Sequence, residues 1–87
     1  MKRIARFEHP TNARYYEIYF GQDLFGHLCI TTIWGRKNTE LGKIHRSYPE
    51  SLEKAQQQFK RIQRQREKRQ YHVKESIDLS CWQRDNE

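Results

Sequence analysis

Residues 24–36 have the sequence LFGHLCITTIWGR. The even positions of this stretch share one mostly apolar face: Leu28, Ile30, Thr32 and Trp34. The odd positions between them share the other face: Cys29, Thr31 and Ile33. Alternation with a period of two is typical of a β-strand. We therefore predict a strand over residues 24–34 that ends at Trp34. Gly26 interrupts its start, which suggests a β-bulge there.

The segment before this strand predicts two further strands. Tyr16, Ile18 and Phe20 share one face of a strand over residues 14–20, and β-favouring residue types dominate it. A weaker alternation over residues 4–9 runs into a turn-forming Pro-Thr-Asn segment, so a shorter strand is predicted there.

The segment after Trp34 predicts a loop and one more strand. Residues 35–42 are polar and end the alternation, so we interpret them as a loop in which Gly35 and Gly42 adopt backbone angles that other residues avoid. A short strand is predicted at residues 43–48. Strands joined in sequence by short connections favour an antiparallel meander.

The hydrophobic period then changes from two to that of a helix. Apolar residues recur at spacings of three, four and three: Leu52, Ala55, Phe59 and Ile62. They predict one stripe of an amphipathic helix over about residues 50–70, with Ser47 or Ser51 as its N-cap. Residues 63–70 contain no apolar side chain, so this last part of the helix faces solvent or a partner. Tyr71 and Val73 are predicted to return to the core.

These elements predict the α+β class. The expected architecture is an antiparallel sheet of three to five strands with one long amphipathic helix packed on one face. The 87 residues suffice for a single domain with a thin core. We place this domain at residues 1–74 and interpret residues 75–87 as an acidic, flexible tail.

Charge is unevenly distributed along the chain, whose formal net charge is +6. Residues 54–74 contain eight Lys and Arg but only one acidic residue, whereas residues 75–87 contain one Arg and four acidic residues. A basic block of this density favours a polyanionic partner through phosphate contacts and counterion release. The alternative is a solvated surface that binds nothing.

Several other functional classes lack a signal in the sequence. The four His residues are scattered, without a nucleophile and an orienting group at a recognised spacing. Cys29 and Cys81 form no metal-binding motif. No apolar run approaches the ~18 residues of a membrane span. We therefore expect no catalysis, metal or cofactor, no small-molecule substrate, and a reducing, cytoplasmic setting.

The segment Ile33-Trp34-Gly35-Arg36 is the most specific motif. A strand ending in Trp-Gly-Arg is followed by Gly42-Lys43, a short strand, and Ser51-Leu52-Glu53-Lys54-Ala55 with Phe59. In this order the chain resembles the WGR domain, a module of DNA-dependent poly(ADP-ribose) polymerases and of small bacterial proteins. The sequence departs from the family pattern at Lys37-Asn38, and Gln70 stands where the family has Gly.

This resemblance implies binding at a DNA end or break, without polymerase activity. Trp34 would pack on the terminal nucleotide, and Arg36 would support contacts with DNA or with neighbouring domains. A DNA-binding protein of this kind would be associated with the nucleoid. We expect DNA rather than RNA as the partner.

The residues themselves are compatible with this hypothesis. An aromatic ring at the end of a strand can stack on a base or sugar, and nearby cations can contact phosphate. The candidate nucleic-acid-binding residues around the motif are Trp34, Gly35, Arg36, Lys37, Lys43 and Arg46. The helix and its end add Lys60, Arg61, Arg64, Lys68 and Tyr71.

Alternatives remain for each feature. Trp34 is also compatible with a core position beside Leu28 and Ile30, and Arg36 with an ion pair to Glu17 or Glu40. The alternative function is a protein-interaction module that docks an acidic partner on the same aromatic rim and basic helix.

Overall fold

The computed structural model describes residues 2–37 and 42–76. In this part of the chain the elements are β1 (Lys2–Glu8), β2 (Arg14–Gln22), β3 (Leu28–Arg36), β4 (Gly42–Ser47), α1 (Leu52–Lys68) and β5 (His72–Ser76). The strands form one sheet in the order β4-β3-β2-β1-β5, with every neighbouring pair antiparallel. The predicted α+β architecture is confirmed. The first four strands are successive neighbours, and α1 carries the chain across the sheet to place β5 beside β1.

The strand that contains the WGR motif differs from its prediction at both ends. It begins at Leu28 because residues 23–27 form a turn, in which the Asp23 carboxylate accepts backbone hydrogen bonds of 2.9 Å from Phe25 and His27. Gly26 has a φ of 81° and lies in this turn, so the prediction of a β-bulge at Gly26 was wrong.

At its other end β3 continues through Gly35 and Arg36, which were predicted in a loop. Gly35 pairs with Tyr15 on one side and with Gly42 on the other. Neither Gly35 nor Gly42 has a positive φ, so the interpretation of unusual backbone angles there was also wrong. The ladder of hydrogen bonds continued past the point where the apolar alternation stops.

The helix packs on one face of the sheet. Ser51 is its N-cap and accepts a hydrogen bond from the backbone N–H of Lys54 at 3.2 Å. Ala55 and Phe59 are the buried residues of the helix. They join a core formed with side chains of β1, β2 and β3: Ile4, Ala5, Phe7, Ile18, Phe20 and Ile30. The predicted apolar stripe and its burial against one sheet face are therefore confirmed.

The opposite face of the sheet carries a network of ion pairs. Glu17 binds the guanidinium groups of Arg3 and Arg6 at 2.8 and 3.1 Å. Glu8 binds Arg6 at 2.9 Å and also the ammonium of Lys37. Hydrogen bonds from Lys37 and then Arg6 lower the pKa of the Glu8 carboxyl to about 2. The cations of this network thus have carboxylate partners within the fold.

The C-terminal end of α1 turns sharply at Gln70, which has a φ of 67°. The backbone N–H of Tyr71 donates to Arg66 O at 3.0 Å and closes the turn. Tyr71 then packs half-buried against the core, as predicted. Val73 lies in β5 but is 42% exposed, so its predicted return to the core was wrong.

The C-terminal segment of the chain is described only in part. Strand β5 runs to Ser76, two residues beyond the expected end of the domain, and the rest of the proposed acidic tail lies outside the described residues. Cys29 is buried with a free thiol, and Cys81 also lies outside. No helix among the described residues has the length and apolar character that a membrane crossing requires.

Replacing Phe59 with Ala should lower the free energy of unfolding by about 3–5 kcal/mol, because Phe59 is only 6% exposed and its loss leaves a cavity in a thin core. Urea unfolding followed by circular dichroism measures this change. Phe25 is 82% exposed, so Phe25→Ala is the control and should change stability by no more than about 0.5 kcal/mol. Equal losses in the two variants would contradict the assigned core.

Replacing Gln70 with Gly should raise stability by about 0.5–1 kcal/mol. A left-handed conformation costs a residue with a Cβ roughly 1–2 kcal/mol, and this exceeds the additional entropy that Gly loses on folding. The control is Gln65→Gly inside the helix, which should lower stability by about 1 kcal/mol. A loss of stability in Gln70→Gly, measured by thermal unfolding, would contradict the left-handed turn.

Candidate nucleic-acid interface

The apolar stripe of the helix ends before the sheet beneath it does. Leu52, Ala55, Phe59 and Ile62 continue by helical spacing to position 66, where the residue is Arg. Arg66 therefore occupies the place of the next core residue, above Tyr16 of β2. Because a guanidinium cannot seal this end as an aliphatic side chain would, a groove opens between the end of the helix and the ends of β2, β3 and β4.

Trp34 and Tyr16 form the floor of this groove. They are direct partners in neighbouring strands, so their side chains lie on the same face of the sheet as the helix. Their rings are stacked, with centroids 5.8 Å apart and planes at 20°. Trp34 is half-buried rather than enclosed in the core. Tyr16 covers one side of the indole, and the rest of the ring surface contributes to the groove.

Arg66 is held between two aromatic rings. Its guanidinium carbon lies 4.5 Å from the Tyr16 ring centroid and 5.2 Å from the Tyr71 ring centroid, within the range of cation–π attraction. Tyr71 in turn makes an edge-to-face contact with His9, with the two ring centroids 5.5 Å apart. Within the described residues the buried Nε atom of Arg66 has no hydrogen-bond partner. An oxyanion in the groove would supply acceptors for this guanidinium.

The groove, hereafter the Trp34 groove, has a volume of about 740 Å³. Three aromatic residues line it: Tyr16, Trp34 and Tyr71. Five cationic residues line it as well: Arg14, Arg36, Lys43, Arg66 and Arg69. Gly35 and Gly42 complete its wall, and none of its described lining residues is acidic. Stacking surfaces surrounded by cations are the combination that nucleotides require, because each nucleotide carries a flat base and a negative phosphate.

The structure brings together five of the residues that the sequence singled out. Trp34, Gly35, Arg36, Lys43 and Tyr71 all line the Trp34 groove. Lys43 is there because it pairs directly with Trp34 across β3 and β4, and Tyr71 because the turn at Gln70 returns it to the sheet.

Two other predicted residues lie on the opposite face of the sheet. Arg46 pairs with Thr31, so its side chain points away from Trp34. Lys37 is bound to Glu8 of the ion-pair network. Glu17, considered as a partner of Arg36, binds Arg3 and Arg6 instead, and Glu40 lies outside the described residues.

The predicted helix cations fall into two groups. Lys60, Arg64 and Lys68 are exposed and do not line the Trp34 groove. We call these three residues the outer helix surface. Arg61 lines a separate hollow with Tyr48 near the start of the helix. Five groove residues were not among the predicted site residues: Arg14, Tyr16, Gly42, Arg66 and Arg69. Arg66 had a sequence signal, since it continues the spacing of the apolar stripe.

Potential metal-ligating side chains are dispersed over the described residues. Among them, no three His, Cys, Asp or Glu side chains lie close enough together to hold a metal ion. His27 is exposed in the turn with Asp23, whereas Cys29 is buried in β3.

A protein-family model matches most of the chain. The sequence matches the WGR domain over residues 1–78, a range that contains all six described elements. No curated protein and no solved structure matches the chain significantly. WGR domains are non-catalytic nucleic-acid-binding modules, and Trp34, Gly35 and Arg36 supply the motif for which they are named. The chain belongs to the WGR domain family.

Proposed function

We propose that this protein binds DNA at ends or breaks, with Trp34 stacking on the terminal nucleotide. The observation that carries the proposal is the composition of the Trp34 groove, where an indole and two phenol rings lie among five cations without an acidic residue among the described lining. Stacking of one base on an aromatic side chain contributes about 1–3 kcal/mol. Cation contacts to phosphate add affinity that depends on salt but not on sequence.

Selectivity for an end follows from the accessibility of the terminal base pair. Inside a duplex each base pair is covered on both faces by its neighbours, so an indole can stack there only if the base is unstacked, which costs a few kcal/mol. The terminal pair has one uncovered face. A half-buried ring at the end of a rigid sheet can cover this face without deforming the duplex, and the cations of the groove then meet the phosphates nearest the end.

The outer helix surface has a different role in this proposal. Lys60, Arg64 and Lys68 are exposed and point away from the Trp34 groove. They would contact duplex phosphates beyond the end and raise affinity for all DNA alike. An acidic protein that docked on the same cations would show a weaker salt dependence when its interface centres on aromatic residues, so salt titration separates the two functions.

Trp34→Ala should weaken binding to a DNA hairpin with one open end by about 5- to 150-fold, the equivalent of one lost stacked base. Binding to a dumbbell of the same duplex, closed by loops at both ends, should change little. Fluorescence anisotropy titration at two salt concentrations measures both affinities. Trp34→Phe is the conservative variant and should retain part of the preference for the open end.

An equal loss of affinity for the open and closed ligands would argue against stacking on the terminal nucleotide. Because Trp34 also packs on Tyr16, the unfolding temperature of each variant should be compared with that of the wild type. An RNA hairpin of the same sequence is the third ligand, and tighter binding to RNA than to DNA would contradict the choice of DNA.

Charge reversal at Arg64 and Lys68 should weaken binding to the open and closed DNA ligands by the same factor. Each lost phosphate contact should also reduce the slope of log affinity against log salt by about 0.9. Reversal of the exposed Lys2 and Lys74 at the far side of the sheet is the matched control. If the salt slope does not change, the outer helix surface lies outside the DNA footprint.

A further inference from the structure

The first turns of the helix and the end of β4 enclose a second hollow, of about 340 Å³. Its volume lies within the range of pockets that bind small organic groups. Tyr48 contributes an aromatic side chain that is 57% exposed, and Lys54 and Arg61 contribute two exposed cations. Glu50 is the acidic residue in its lining. We call it the Tyr48 hollow.

The Tyr48 hollow and the Trp34 groove lie on the same side of the sheet, at opposite ends of β4. Gln58 of the helix donates a hydrogen bond to Ser47 Oγ at 2.6 Å, which fixes the helix flank that faces β4. Strand β4 then leads from Ser47 through the exposed His45 to Lys43 in the Trp34 groove. Because Lys43 pairs with Trp34 and His45 with Thr32, both side chains are on the helix side of the strand.

Two basic residues of the helix and its C-cap Arg69 lie on this flank. At about 100° per residue, Lys54, Arg61 and Arg69 lie within about 60° of Gln58 around the helix axis. The acidic residues Glu53 and Glu67 lie about 140° and 180° away. Cations of this flank therefore lie near both hollows, with Tyr48 in one and Trp34 in the other.

We propose that the Tyr48 hollow is a second nucleotide subsite, which binds unpaired nucleotides of a single-stranded extension at the DNA end. Tyr48 stacks on one base, and Lys54 and Arg61 contact the adjoining phosphates. The five-residue step from Lys43 to Tyr48 spans about 17 Å, a distance that roughly three to five nucleotides bridge. The uncovered face of the terminal base pair is occupied by Trp34 in the proposed complex, so Tyr48 stacks on an unpaired base beyond it.

This inference rests on the proposed function, but its readout is separate. The proposed function is measured by the ratio of affinities for open and closed DNA. The subsite is measured by the increment in affinity when an extension of about six thymidines is added to the 3′ or the 5′ strand of the same open hairpin. Failure of end selectivity changes the first ratio, and failure of the subsite changes only the second.

The wild-type protein should bind one of the two extended hairpins about tenfold or more tighter than the blunt one, as expected for one stacked base with phosphate contacts. Tyr48→Ala should remove this increment and leave the affinity for the blunt hairpin within about twofold. Tyr48→Phe should keep the increment, because a phenyl ring also stacks. Phe25→Ala, which removes another exposed ring, should keep it as well.

Variants of the charged residues test the same subsite from two directions. Arg61→Ala should reduce the increment severalfold, and Lys74→Ala, at the far edge of the sheet, should not. Glu50→Gln should enlarge the increment, because it removes the acidic group from the hollow. A gain of affinity cannot result from loss of folding, so this variant keeps the test interpretable if others unfold.

Two results would overturn the subsite. One is the absence of an increment with either extension in the wild-type protein. The other is a Tyr48→Ala variant that retains the increment, or that loses affinity for blunt and extended hairpins by the same factor while its unfolding temperature is unchanged.

Discussion

The helix buries its apolar stripe only as far as Ile62, while the strands beneath it continue to Tyr16 and Trp34. The residue that follows the stripe is Arg66, and its guanidinium lies between the Tyr16 and Tyr71 rings. A Leu at this position would extend the core and cover the aromatic floor. The cation instead leaves the floor accessible and adds a positive charge to its wall. The site therefore lies where the hydrophobic core stops short of the ends of the strands.

The two faces of the sheet differ in the charged residues that they carry. On the face away from the helix, Arg3, Arg6 and Lys37 meet Glu8 and Glu17 in ion pairs. Such pairs at a partly exposed surface contribute little to stability, but they neutralise the cations that form them. On the helix side, the described lining of the Trp34 groove holds five cations and no acidic residue. Basic side chains therefore surround the aromatic rings of the groove.

The end of the helix shows how backbone strain serves the same site. Gln70 adopts a left-handed conformation that Gly would accept more readily. This turn reverses the chain, so that Tyr71 returns to the sheet and forms one wall of the Trp34 groove. The strain is offset by the burial of Tyr71 and its contacts with His9 and Arg66.

Much of the architecture follows from the sequence alone, because periodicity is a property of neighbouring residues. The alternation around Ile18 and Ile30 identified two central strands, the stripe through Phe59 identified the helix, and the Trp-Gly-Arg motif identified the family. The predicted end of the second of these strands at Trp34 was wrong. The ladder of backbone hydrogen bonds includes Gly35 and Arg36 whatever their side chains, so a loss of apolar alternation did not mark the end of β3.

The sequence indicated Arg36 and Lys43 beside Trp34, but only the tertiary structure decided the full set of cations around it. Lys43 and Arg46 are three residues apart and both cationic, but the register of β4 with β3 places them on opposite faces of the sheet. Arg14, Arg66 and Arg69 come from a distant strand and from the end of the helix, and nothing in their local sequence specifies that they meet. Periodicity determines which face of an element is apolar. Register and crossover determine which elements contribute to one surface, because they depend on pairing between segments far apart in the chain.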